Sequence, residues 1–161
     1  MTVATSQGSA VHDNIVETVR ATVPPTRLAR EGTRSFVHYT SARDPADLAD
    51  APGSRYFGVF SAGAARPTGP GGTRTQQSYI EREWLVVVAY ETDQDSDALS
   101  RLVIDDTDSL LYELTQIGNL ATSTIRLVKR EAEAMDFEWS RDEGHHVQSL
   151  SVTCVYIPNW S

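Results

Sequence analysis

The sequence predicts an α+β domain: an antiparallel or mixed sheet of four to five strands, packed by an N-terminal helix and a central helix. Two stretches, Ser78–Glu91 and His146–Ile157, are apolar or strictly alternating over strand length. Between them, apolar residues recur at helical spacing over Ser96–Ile117. A strand, a helix and further strands in this order can bury the helix against an antiparallel sheet.

Composition is typical of a soluble globular protein with a single domain, residues 1–161. Hydrophobic residues make up 40% of the chain and charged residues 22%, and a chain of 161 residues can bury a core without disulfides. The net charge of -8 disfavours a sequence-reading nucleic-acid binder but suits a surface along which DNA passes without binding. Because no signal peptide and no bilayer-length apolar run is found, we expect a cytosolic protein without membrane contact.

The N-terminal third predicts one helix and two short strands. Residues 1–8 are polar, and we expect them to form a flexible arm. Ser9 can cap a helix with apolar residues at helical spacing, which Pro24 and Pro25 then end. A strand, a turn or single helical turn, and a second strand follow: Ser35–Tyr39, Asp44–Pro52 and Arg55–Phe60.

Residues 61–77 are predicted to form an extended loop. Four glycines together with Pro67 and Pro70 disfavour regular structure, and Arg66 and Arg74 are the only charged residues. Loops of this length are uncommon inside compact domains. The segment is therefore either a simple hairpin connection or an arm that becomes ordered against a neighbouring subunit.

The central strand, Ser78–Glu91, is apolar on both faces from Trp84 onwards. We therefore expect this end to be covered on both sides, by a helix, a second sheet or another chain. Ser96 can cap the helix that follows. Thr124–Arg130 then alternates as a strand does, and Glu131–Trp139 alternates again.

Aspartates are concentrated before and within the central helix. They are Asp93, Asp95, Asp97, Asp105, Asp106 and Asp108. The first three alternate as in a calcium loop, but the glycine and the closing glutamate of that loop are missing. One interpretation is a set of solvated helix-cap and loop acids. The other is an electronegative lining, if the chain forms a ring.

No residue pattern predicts catalysis, a metal or a cofactor. His145 and His146 are adjacent, so on a strand they point to opposite faces and rarely share one ion. Cys154 lies on the apolar side of the last strand, where a thiol would be buried and inert. Phosphate loops, dinucleotide fingerprints and glycine-flanked nucleophilic serines are missing from the sequence. We therefore expect a protein that is not an enzyme.

The order of these elements resembles one protein family. An N-terminal helix and an early hairpin with a long loop precede four elements in turn: strand Glu83–Tyr90, helix Asp97–Gln116, strand Thr124–Arg130 and strand Ser149–Tyr156. Over most of its length the chain thereby resembles the tail terminator (tail completion) proteins of long-tailed bacteriophages.

The resemblance implies a virion structural protein without enzyme activity or cofactor. Such a protein forms a homohexameric ring at the head-proximal end of the tail, after assembly in the host cytoplasm. The ring caps the tail tube, joins it to a neck or head-completion protein, and lets DNA pass without sequence-specific binding. In that setting Arg66, Pro67, Pro70 and Arg74 are candidate contacts between subunits or with the neck. The six aspartates are a candidate ring lining, and Trp160 is a candidate contact anchor.

Two other functions remain open. Another neck protein, or a relative of the tail-tube protein, shares these elements, and a tube protein would polymerise into long tubes. A small cellular ligand-binding domain or enzyme would need a concave pocket with convergent polar groups. The sequence offers no clear candidate for such a pocket.

Overall fold

A computed structural model of the chain shows two helices packed on one face of a mixed β-sheet. It describes residues 7–25, 35–63, 65–68, 79–91, 96–116, 127–135, 138–139 and 145–156. The helices are α1 (Gln7–Ala21) and α2 (Ser96–Thr115), with a short 3-10 helix at Pro45–Asp50. The strands are β1 (Val37–His38), β2 (Tyr56–Ser61), β3 (Arg66–Thr68), β4 (Tyr79–Glu91), β5 (Leu127–Ala134), β6 (Glu138–Trp139) and β7 (His145–Tyr156). The predicted α+β class is confirmed.

The sheet is built around two long neighbouring strands, β4 and β7. Its main path runs β1-β2-β4-β7-β5, while β3 pairs with β4 and β6 pairs with β7. β1 and β2 are parallel and the other pairs are antiparallel. β4 and β7 align from Ile80 opposite Tyr156 to Glu91 opposite His145, and residues paired in this way share a face of the sheet.

The main core lies between the sheet and the two helices. The strands contribute buried side chains from alternate positions: Phe57, Val59, Trp84, Val86, Val88, Leu150 and Val152. The helices contribute residues at the spacing that predicted them: Val11, Ile15, Val19, Leu99, Leu102, Val103, Leu110 and Leu114. Each fully buried aliphatic side chain stabilises the fold by about 1.5–3 kcal/mol relative to exposure. This shared core fixes the helices on the sheet.

The short 3-10 helix covers one end of the opposite face. Leu48 and Ala51 pack there against Val87 and Ala89. A side chain at Gly58 would come within 2.5 Å of the Phe60 ring, so a glycine allows this close packing. The prediction that the apolar end of β4 is covered on both sides is confirmed, and both covers come from this chain.

A capping box defines the start of the 3-10 helix. The Asp44 carboxylate accepts a hydrogen bond from the Ala46 amide at 2.9 Å. Asp47 accepts hydrogen bonds from the backbone amides of Arg43 and Asp44, and these bonds lower the pKa of the Asp47 carboxyl. The predicted turn at Asp44–Pro52 is thus a capped helical turn.

Three boundaries differ from the predictions. β5 continues past Arg130 to Ala134, because Ala132 faces the core while the glutamates beside it face solvent. β3 lies inside the predicted loop 61–77, where it pairs with the first residues of β4. Residues 7 and 8, predicted as part of a flexible arm, belong to α1. Residues 1–6 lie outside the described residues.

Candidate interaction surface

α2 presents its aspartates in opposite directions. With 3.6 residues per turn, near neighbours in the sequence point to different sides of the helix. Asp106 is 0% exposed, whereas Asp97, Asp105 and Asp108 are exposed. The prediction that Asp106 belongs to an acidic ring lining is therefore wrong. Asp93 and Asp95 lie outside the described residues.

Asp106 binds the buried side chain of Arg55. The Arg55 Nε and Nη2 groups donate to the two carboxylate oxygens at 2.7 and 2.8 Å, and the Tyr90 hydroxyl donates to Oδ2 at 2.9 Å. Burial raises the pKa of Asp106, against the opposing effect of the Arg55 charge and hydrogen bonds. Burial, and then the nearby Asp106 charge, raises the pKa of Tyr90 well above its usual value. The network ties α2 to the end of the sheet.

The backbone of Arg55 is part of the same junction. Its φ of 65° lies in the left-handed region, which costs a non-glycine residue roughly 1–2 kcal/mol. Its amide donates to Ala89 at 2.7 Å and its carbonyl accepts from Val37 at 2.9 Å, so this residue links β1 to β4. The sequence predicts Arg55 only as the first residue of a strand, because its local pattern contains no sign of a buried ion pair with a residue 51 positions away.

Arg130 is a second buried arginine, and it is held differently. Its Nε donates to the Leu114 carbonyl near the end of α2, and Nη1 donates to the Asn14 side chain at 3.1 Å. No carboxylate in the described part of the chain forms an ion pair with it. Burial lowers the pKa of Arg130 to about 10 and raises the pKa of the adjacent Cys154 thiol to about 12. The negative end of the α2 dipole favours the buried cation.

A groove between α1 and α2 opens on the outside of the helix layer. We call it the helix groove; its volume is about 730 Å³. Its lining is Asn14, Glu17, Thr18, Ala21, Thr22, Val23, Asp108, Ser109, Tyr112 and Glu113. Among the described residues, the lining includes three carboxylates and no cation. Val23 is 65% exposed and Tyr112 64% exposed, so the groove also offers two large apolar groups to solvent.

A second, more apolar groove lies between α2 and the strands β5 and β7, and it shares Asp108 with the helix groove. We call it the strand groove; its volume is about 400 Å³. It is lined by Ser100, Val103, Ile104, Thr107, Asp108, Ala134, Met135 and Gln148. Ile104 and Met135 are more than half exposed. The Thr107 hydroxyl beside them is buried without a hydrogen-bond partner in the described structure.

The predicted loop contacts are only partly described. Arg66 is 74% exposed and lies 3.4 Å from Glu81, a surface ion pair of little energetic weight. Pro67, in β3, is exposed. Within the described residues, neither Arg66 nor Pro67 shares a groove with an aspartate of α2. Pro70, Arg74 and Trp160 lie outside the described residues.

The open face of the sheet carries four glutamates beside the exposed Arg66, a cluster that was not predicted from the sequence. We use the name open sheet face for Glu81, Glu83, Glu131, Glu133, Ser151 and Thr153. The strand register sets Glu83 and Glu131 on either side of Thr153. Ser151 donates to Glu83 at 2.6 Å. The signal was the pair of Glu-x-Glu repeats, because alternate residues of a strand share one face.

The described residues show no arrangement for metal chemistry. Among them, no group of three or more histidine, cysteine, aspartate or glutamate side chains could hold a metal ion. None of the described helices is long and apolar enough to cross a membrane.

The chain matches no protein-family model and no curated protein. The surfaces described above are therefore interpreted from their own geometry and charge.

Proposed function

We propose that this chain is a virion structural protein, a tail terminator of a long-tailed bacteriophage. In this proposal, six copies form a ring that caps the head-proximal end of the tail tube and joins it to the neck. The order α1, β2, β3, β4, α2, β5, β7 supports the proposal, since it keeps the order of elements on which the family resemblance rests.

The observation that carries the proposal is the outward surface of the helix layer. Four large apolar side chains flank the two grooves there and are more than half exposed: Val23, Ile104, Tyr112 and Met135. Single exposed apolar residues are ordinary, but a concentration of them on one side marks an interaction surface. Such a surface favours a protein that assembles with others.

The open sheet face supplies the acidic surface that a DNA channel needs. Because Asp106 is buried, it cannot line a channel. In this proposal the four glutamates of the open sheet face line the channel instead. Carboxylates repel the phosphates of DNA, so a lining of this kind lets DNA pass without adhering. In this arrangement the helix layer is left for contacts with other protein subunits.

The test is whether the protein stops the growth of tail tubes. The tail-tube protein from the same genome as this chain would be purified and polymerised, once with this chain added and once without it. The lengths of the tubes would be measured by electron microscopy. We expect shorter tubes that carry a ring at one end. Tubes of unchanged length with bare ends would contradict the proposal. Long polymers of this chain alone would instead identify a tube protein.

A further inference from the structure

The strand groove contains a hydroxyl group that the fold leaves unpaired. Thr107 lines this groove and is 8% exposed, and its hydroxyl is buried without a hydrogen-bond partner in the described structure. Three hydroxyl groups elsewhere on the helices behave differently: those of Thr18, Ser109 and Thr115 each donate to the backbone carbonyl four residues earlier, at 2.8, 3.0 and 2.8 Å. Since a buried hydroxyl without a partner is unfavourable, Thr107 can gain a hydrogen bond from a ligand in the groove.

Apolar side chains form most of the groove around this residue. Val103 and Ile104 border it on α2, and Ala134 and Met135 border it at the end of β5. Ile104 is 58% exposed and Met135 is 51% exposed, so a ligand with an apolar body would remove both side chains from water. The volume of about 400 Å³ lies within the range of small-molecule sites.

Gln148 adds a second buried polar group to the lining. It is 5% exposed, and its Nε2 group donates to the backbone carbonyls of Met135 at 2.6 Å and Ser149 at 3.1 Å. These bonds hold the side chain in place and use only its nitrogen, so the amide oxygen can still accept a hydrogen bond. A hydroxyl group on a ligand both donates and accepts, and it therefore matches the Thr107 hydroxyl and the Gln148 oxygen.

The charge of the groove favours a neutral ligand. Asp108 is the single charged side chain among the described residues of the lining, and it is exposed. An anionic ligand would find no cation among these residues, and an exposed carboxylate adds little to the binding of a cationic one. We propose that the strand groove binds a small neutral molecule that has an apolar body and one hydroxyl group. The inference goes beyond the proposed function and does not depend on the ring.

Benzyl alcohol and toluene test the site, because the two molecules differ by a single hydroxyl group. Each would be titrated into the full chain and into Thr107→Val, and its affinity measured from the amide shifts of groove residues in NMR spectra. We expect shifts that saturate and that lie at the groove. The ratio of the benzyl alcohol affinity to the toluene affinity should fall about three- to tenfold in Thr107→Val. Thr107→Ser, which keeps the hydroxyl, should retain the ratio of the unchanged protein.

A matched control removes a hydroxyl outside the groove. Thr115→Val, on the same helix, should leave the affinity ratio unchanged, and Asp108→Asn should leave the binding of benzyl alcohol unchanged because the ligand is neutral. Thermal melts would show that the variants fold, as expected for Thr107→Val because the hydroxyl it removes has no partner in the described structure. Shifts that do not saturate or that lie outside the groove, an unchanged ratio in Thr107→Val, or a large loss of affinity in Asp108→Asn would overturn the inference. None of these results bears on tube lengths, so the proposed function stands or falls separately.

Discussion

Asp106 and Asp108 are two positions apart on α2, yet they belong to two different regions of the molecule. Asp106 faces the sheet, is 0% exposed and binds Arg55 through both carboxylate oxygens. Asp108 faces outward, is exposed and lines both grooves. The inward face of α2 thus stabilises the fold, whereas Asp108 on the outward face is exposed to solvent.

The difference shows how far a charge cluster in a sequence can mislead. Adjacent aspartates look equivalent in a sequence, but the helical turn sends one into the core, where an unpaired carboxylate would be very costly. Arg55 makes burial of Asp106 tolerable. The same inward-outward division should appear when residues on the two faces are changed.

Removal of the inward carboxylate should have the largest effect. Asp106→Leu leaves the Arg55 cation buried without its partner and removes the acceptor of the Tyr90 hydroxyl. We expect the free energy of unfolding to fall by about 3–5 kcal/mol in urea denaturation. The exposed neighbour provides the control, since Asp105→Ala should change stability by no more than about 0.5 kcal/mol. A loss below about 1 kcal/mol for Asp106→Leu would show that the pair is not structural.

Replacement of both partners should cost less than removal of one. In Arg55→Met combined with Asp106→Leu, no charge is left buried, so we expect about 1–3 kcal/mol of the loss to be recovered. A double-mutant cycle that includes Arg55→Met alone measures the coupling between the two residues. Additive losses would mean that the two side chains stabilise the fold independently.

The shifted pKa values of Cys154 and Arg130 predict that the free energy of unfolding depends on pH. The native pKa of Cys154 is about 12, against an ordinary value of 9.0, so above pH 9 the unfolded thiol ionises while the native thiol does not. Stability should therefore fall by about 1 kcal/mol between pH 9 and 10 through this group. The lowered pKa of Arg130, about 10, opposes this effect only above pH 10, where the unfolded chain binds the extra proton. Denaturation of the unchanged protein and of Cys154→Val measures the difference; equal slopes would contradict the prediction.

Changes on the outward face should have the smallest effect on stability. Tyr112 is 64% exposed, so Tyr112→Ser should change the free energy of unfolding by less than about 0.5 kcal/mol. The same change should weaken assembly of the proposed hexamer, because it removes the exposed aromatic side chain of the helix groove. Sedimentation velocity over a range of protein concentrations measures this. If Tyr112→Ser unfolded the protein, the claim that the outward face contributes little to stability would be wrong. If Tyr112→Ser assembled normally, the claim that this face serves assembly would be wrong.

The sequence predicted the elements better than their partners. The spacing of Leu99, Leu102, Leu110 and Leu114 located α2 to within two residues of its end, because local periodicity reports burial directly. β5 was ended too early, at Arg130, because a charged residue there gave no sign of its burial. Neither buried arginine could be recognised, since each depends on contacts between distant parts of the chain.

The same limit applies to the candidate surface. The arginines of the predicted loop and the aspartates before and within the central helix were found from composition, but which aspartates face outward was not. The helix groove was not, because it needs the side-by-side placement of α1 and α2, which no local pattern encodes. The open sheet face was within reach of the sequence, through the alternation of Glu131 and Glu133.

The most direct test of the central claim is the mass of the purified protein in solution, measured by light scattering with and without tail tubes. The account predicts a closed species of six protomers of 17.7 kDa each, or a protomer that forms this species on tube ends. A protein that keeps the mass of one protomer and ignores the tubes would contradict it.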